Sequence, residues 1–257
     1  MRTKISSLLL ACVMGAVLVA SGADDKVLDL TSGDQSVPTL VGYENVINES
    51  DELRTLTVSS ATDETFAGKI SGKIKLVKEG KGMLDLTAEN TYTGGTVINQ
   101  GRLVASSLTA FGDTTKAIEV NCDCQQANMT SNLVTCVGFK VASGTFAYPI
   151  VCSSWANPLK GPEGTSACRQ YNVALLASGI TLTGNITGGN LSVHVGSFNW
   201  TAANQDSKGW STCTLSGEIN CSEGTVCISS FAIPVILSGK VTTKGIYQNT
   251  STSWPVV

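Results

Sequence analysis

His194 is the single histidine of the chain, so general-base catalysis by a Ser-His or Cys-His pair has one candidate position and multi-histidine zinc sites have none. Carboxylates are the next source of chemistry. The pairs Asp51-Glu52 and Asp63-Glu64, with the arginines Arg54, Arg102 and Arg169, are the ingredients an acid-base carbohydrate enzyme would use. Adjacent acids in a polar turn point apart, however, and read as solvated turn charges. Tyr92, Gly94 and Gly95 offer either a saccharide platform or a turn with a ring packed over it, and the turn is the simpler reading. No Gly-Gly-x-Gly-x-Asp calcium repeat and no Cys-x-x-Cys zinc pair occurs. No catalytic residue, metal ligand or cofactor site is therefore expected.

Cysteines are the remaining reactive group. There are nine, and Cys12 falls in an N-terminal segment with an export signature: Arg2 and Lys4, an apolar stretch from Ile5 to Val19, and small residues at Ser21-Gly22-Ala23. Removing residues 1–23 leaves eight, namely Cys122, Cys124, Cys136, Cys152, Cys168, Cys213, Cys221 and Cys227. An even set in an exported chain permits four disulfides, and Cys152–Cys168 and Cys221–Cys227 would close local loops; reduced thiols stacked in a core are the other reading. His194 alternates with Leu191, Val193 and Val195, which puts it on the solvent side of a strand.

The elements that carry these residues are short strands. Ile180, Leu182, Gly184 and Ile186 alternate with Thr181, Thr183 and Asn185, and runs such as Lys73–Lys78, Arg102–Ala105 and Thr225–Ile228 are bounded by Gly, Asn, Ser and Thr. No helical periodicity of a dozen residues appears beyond the leader, so the class is all-β. A unit of apolar residue, x, Gly, x, β-branched residue recurs at Phe66-Ala-Gly68-Lys-Ile70, Leu182-Thr-Gly184-Asn-Ile186, Leu215-Ser-Gly217-Glu-Ile219 and Leu237-Ser-Gly239-Lys-Val241. The last two are 22 residues apart, the length of one coil of a β-solenoid.

Residues 66–121 add motif detail. Lys78-Glu-Gly80-Lys-Gly82, then Asn90-Thr-Tyr92-Thr-Gly94-Gly95-Thr96, then Gly101-Arg-Leu103 resembles the autotransporter-associated β-strand repeat, with Met83, Asp85 and Glu89 as departures. That resemblance implies a right-handed parallel β-helix from the passenger region of an exported bacterial surface protein. At ~21 residues per coil the processed chain would make about 11 coils. The expected layout is a signal peptide over 1–23, an N-terminal cap and first turns over 24–65, the repeat over 66–121, and further cysteine-containing turns over 122–257.

Charge is uneven along this layout. Residues 24–120 hold 24 charged side chains and no cysteine; residues 121–257 hold 11 charged side chains and all eight remaining cysteines. The processed chain has 15 basic and 20 acidic residues, which gives no electrostatic basis for nucleic-acid binding. No second apolar run is long enough to span a bilayer. The function expected is non-enzymatic: a passenger or surface-display segment in adhesion or envelope interaction, with a carbohydrate or host surface as partner. A secreted carbohydrate-active β-helix enzyme is the alternative. The place of work is the cell surface or the extracellular space, at the outer membrane if a barrel follows residue 257.

Overall fold

The computed structural model describes residues 27–121, 135–153, 171–196, 211–230 and 233–250. Among these there is no helix, and every strand pairing is parallel. The chain winds as a three-faced parallel β-helix. The first face holds β1 (Val27–Asp29), β3 (Asn45–Asn48), β6 (Lys69–Gly72) and β9 (Thr91–Tyr92), and resumes as β14 (Thr145–Phe146), β17 (Thr181–Leu182), β20 (Cys213–Leu215) and β22 (Val235–Leu237).

The second face stacks β2 (Gln35–Val37), β4 (Arg54–Ser59), β7 (Ile74–Glu79), β10 (Thr96–Ile98), β12 (Ile118–Val120), β15 (Ile150–Cys152) and β18 (Ile186–Gly188). The third stacks β5 (Glu64–Phe66), β8 (Met83–Leu86), β11 (Arg102–Ala105), β13 (Cys136–Phe139), β16 (Val173–Leu175) and β19 (Leu191–Val195). β21 (Ile219–Ser230) and β23 (Val241–Thr250) run through the corner between these two faces, which joins them into one 15-stranded sheet.

Parallel stacking works because each coil offers the same side chain at the same place. One inward column of the second face reads Leu56, Leu76, Thr96, Ile118, Ile150, Ile186, Ile219, Val241. A single coil has no core of its own, and burial comes from its neighbours. Where the first face lacks a strand, Phe111 fills the interior, edge-on to Phe139 at 6.0 Å and to Tyr148 at 5.7 Å.

The Leu-x-Gly-x-Ile units are the first-to-second-face corner of successive coils. Leu182, Leu215 and Leu237 are registered partners, as are Ile186, Ile219 and Val241. Their glycines lie on one another: a Cβ on Gly217 would sit 2.1 Å from the Gly184 carbonyl oxygen, and one on Gly239 2.0 Å from that of Gly217. Phe66-Ala-Gly68-Lys-Ile70 is different in place, because it turns from the third face (β5) to the first (β6). The motif thus describes a kind of corner, not one position in the coil.

Coil length departs from expectation. Successive partners Leu56, Leu76, Thr96 and Ile118 are 20 to 22 residues apart, but Ile118 to Ile150, Ile150 to Ile186 and Ile186 to Ile219 span 32, 36 and 33. Nine coils rather than about 11 are present among the described residues, since three coils carry roughly a dozen residues each beyond what the ladder uses. Among the described residues the first strand is β1, and β1 to β5 already pair with the coils that follow.

Candidate functional site

The outside of the third face differs from the outside of the second. Inward residues there are Leu84, Leu103, Val137, Val173 and Val193, so their neighbours point away from the core. Outward residues of the second face are exposed at Glu119, Val151, Thr187 and Asn220, although Val97 is buried. On the third face Val104, Cys136, Ala174, Ser192, His194 and Cys227 all point outward and are all buried. The strands are therefore covered on both sides.

His194 is the clearest correction to the sequence reading: it retains 7% of its exposure instead of facing solvent. Alternation assigns a face but says nothing of what lies on that face. The Tyr171 ring stacks on the imidazole at 4.5 Å and 20°. Burial pushes the Tyr171 phenol up; Cys136 nearby adds to the shift and Arg102 opposes it. Arg102 in turn pairs with Asp63 at 3.0 Å.

Asparagines organise the corner beside this layer. Asn172 Oδ1 accepts from the Ser192 amide at 2.9 Å, and its Nδ2 donates to the Asn190 carbonyl at 3.2 Å. Asn190 Oδ1 accepts the Thr225 amide at 2.8 Å. Ser192 Oγ is buried with no hydrogen-bond partner among the described residues. Asp85, expected only as an odd residue in the repeat, is buried on the same outward face and accepts Ser106 Oγ at 2.6 Å and Lys140 Nζ at 3.0 Å.

Asp85 and His194 share one outward column, but Val104, Gly138 and Ala174 stand between them. Four strand spacings amount to ~19 Å, too far for an Asp-His pair. No group of three His, Cys, Asp or Glu residues able to hold a metal occurs among the described residues.

The short coils use their polar residues internally. Lys78 points inward, in a column between Val58 and Ile98, and its Nζ donates to the carbonyls of Glu79 at 2.5 Å, Gly80 at 2.8 Å and Gln100 at 3.4 Å. Burial lowers its amine to about 8, against the attraction of Glu64, Glu79 and Asp63. Asn90 bridges coils, accepting the Ile70 amide at 2.8 Å and donating to the Ala110 carbonyl at 2.6 Å. Tyr92 is wholly buried, with its hydroxyl 2.6 Å from Thr96 Oγ1, the one hydroxyl in an otherwise aliphatic column. A Cβ on Gly101 would meet the Gly80 carbonyl oxygen at 2.4 Å.

Residues 76–105 match the passenger-associated-transport-repeat family. This stretch is an autotransporter passenger repeat. No curated protein and no solved structure matches the chain. The geometry explains the passenger repeat residue by residue: lysine caps turn carbonyls from inside, asparagine ties three coils, tyrosine satisfies threonine, and glycine admits the coil below. Tyr92 is no saccharide platform, because none of its ring reaches the surface.

Outside the passenger repeat's interior, the acidic pairs are inter-coil or local ion pairs: Lys73–Asp51 at 3.0 Å, Arg54–Glu52 at 2.6 Å and Arg102–Asp63 at 3.0 Å. Glu64 accepts the Thr39 hydroxyl. Cysteines sort by face. Cys152, Cys213 and Cys221 belong to the core, whereas Cys136 and Cys227 are buried outside it. Cys227 is disulfide-bonded and Cys221 is a reduced thiol that burial pushes up to about 11, so the Cys221–Cys227 staple does not form. The two sulfurs lie on opposite sides of the sheet, which their spacing in sequence does not reveal. The leader 1–23, Cys122, Cys124, Cys168, Arg169 and the sequence between Cys152 and Cys168 beyond Ser153 lie outside the described residues; Cys152 is a reduced thiol, so the expected Cys152–Cys168 closure does not form.

Proposed function

We propose that the protein is an exported β-helical passenger segment that works at the cell surface as a non-enzymatic scaffold for adhesion or envelope interaction. The observation that carries this reading is the passenger repeat at residues 76–105, set in a ladder that continues without a break from β2 to β23. A rigid ladder with insertions at chosen coils is how a scaffold presents recognition sequence while its core stays constant. The lengthened coils supply that sequence. Carbohydrate or another component of a host or bacterial surface is the partner class.

The test compares the secreted chain with a variant in which residues 122–134 and 154–170 are each replaced by the short corner Asn99-Gln100-Gly101. Binding to glycan arrays and to whole cells, lost in the variant while circular dichroism is unchanged, is the expected result. Turnover of a polysaccharide by the purified chain would overturn the non-enzymatic reading. Recovery only in the cytoplasmic fraction would overturn the exported one.

A further inference from the structure

One inward column of the second face has a rank with no side chain, and a reduced thiol stands on either side of it. Cys152 is in register with Gly188. One residue beyond the registered pairs Ile186–Ile219 and Thr187–Asn220, the same column reaches Cys221 in the next coil. Along the stack the column runs Val58, Lys78, Ile98, Val120, Cys152, Gly188, Cys221, Thr243. Cys152 and Cys221 are both reduced, and both belong to the hydrophobic core at 3% and 0% exposure. A Cβ at position 188 would sit 2.5 Å from the Cys152 carbonyl oxygen and 3.0 Å from the Cys152 Cβ, so the rank between the thiols stays free of side chain.

Two strand spacings put the Cα atoms of Cys152 and Cys221 about 9.6 Å apart, beyond the roughly 7 Å limit for a disulfide. A metal ion between the sulfurs changes that arithmetic. Two metal–sulfur bonds of about 2.3 Å take up about 4.6 Å and leave about 2.5 Å for each Cα-to-sulfur arm. The column supplies only these two ligands. Val120 lies below Cys152, and above Cys221 the Thr243 hydroxyl is already bonded to the Gly224 and Gly245 carbonyls at 2.9 and 3.0 Å. Zinc, which takes four ligands, does not fit; a soft ion that accepts two thiolates in line does. The nearest cation in the column is Lys78, three ranks before Cys152. A divalent ion on two thiolates therefore leaves the apolar site neutral, whereas a monovalent ion would bury a net negative charge.

We propose that Cys152 and Cys221 form a two-thiolate site for one soft divalent metal ion, with Gly188 as the gap that admits it. Loading breaks two S–H bonds, forms two metal–sulfur bonds and releases two protons. Burial pushes the Cys221 thiol up to about 11, so this thiol keeps its proton until the metal displaces it. The site lies inside the stack and is independent of any ligand at the surface.

The probe is mercuric ion, added to the full chain during refolding from urea so that the closed core is no obstacle to entry. Gel filtration in a monothiol buffer then strips ions held by a single sulfur. Metal content, titration of remaining thiols and X-ray absorption at the metal edge read what stays. Wild type should retain one more ion, and show two more thiols consumed, than Cys152→Ser or Cys221→Ser, and that ion should have two sulfur neighbours. Gly188→Val keeps both thiols but fills the rank, and should lose the same ion. The serine variants each change one atom and carry the test should Gly188→Val fail to fold, with circular dichroism as the check. Equal metal and thiol counts in wild type and both serine variants would overturn the proposal, as would three or four sulfur neighbours around the ion those variants lose.

Discussion

The short coils of residues 54–118 and the long coils of 118–219 solve the same problem in different ways. In the short coils most charge lies outside, although Asp85 and Val104 are buried on the outward side of the third face, and Lys78, Asn90, Tyr92 and Thr96 are satisfied inside. In the long coils the inside is aliphatic and aromatic, with Phe139, Phe146 and Tyr148, and Cys136, Ser192 and His194 are buried outside the third face, as is Cys227 in the coil after them. Only 11 charged residues are found beyond residue 120, as fits strands buried on both sides. The passenger repeat thus satisfies its polar side chains inside the stack, whereas later coils bury small and polar side chains outside the third face.

The largest expected break in that contrast is at Tyr92. Tyr92→Ala removes a fully buried ring and leaves Thr96 Oγ1 unsatisfied, for about 3–5 kcal/mol in chemical denaturation. His194→Ala comes next, at about 1–3 kcal/mol, because it strips the stack from Tyr171. Its specific signature is spectroscopic. The Tyr171 phenol, held up by burial, should titrate closer to its ordinary 10.0 when followed by ultraviolet absorbance. A fall in stability with no change in that titration would mean the layer stays closed without the imidazole.

Lys78 supplies a pH test confined to the short coils. Its amine is lowered to about 8 in the fold against 10.5 for the ordinary side chain. Between these values the unfolded chain holds the proton and the folded chain does not, so stability from this group rises with pH from about 8 towards 10.5. Lys78→Met should abolish that rise. The buried tyrosines act in the opposite sense above pH 10, where unfolded phenols ionise first, so the comparison belongs below that point. Equal slopes in wild type and variant would show that Lys78 is not the source.

The smallest effect should be at the wet surface. Lys73→Ala removes a pair with Asp51 in which both side chains are largely exposed, and melting should shift by no more than about 0.5 kcal/mol. A loss comparable to that of His194→Ala would erase the distinction between the two outer surfaces.

Much of the fold was legible because a β-helix repeats its constraints. Alternation at Ile180–Ile186 and the spacing from Leu215 to Leu237 follow from the pleat and the coil, and both recur in the ladder. His194 shows the limit of such reasoning. Its outward direction was readable, but its burial depends on Tyr171, 23 residues earlier and one coil below. Lys78 was visible as a turn residue, yet its inward direction rests on a column shared with Val58 and Ile98.

Sequence alone determined the all-β class, the repeat at its centre and the shortage of paired catalytic groups, since these depend on residue type and local spacing. Tertiary structure decided the coil count, the sorting of cysteines by face and the buried layer outside the third face. Each depends on which residues stack between coils 20 to 36 residues apart. Separation along the chain does not specify that register; the shared side-chain columns do.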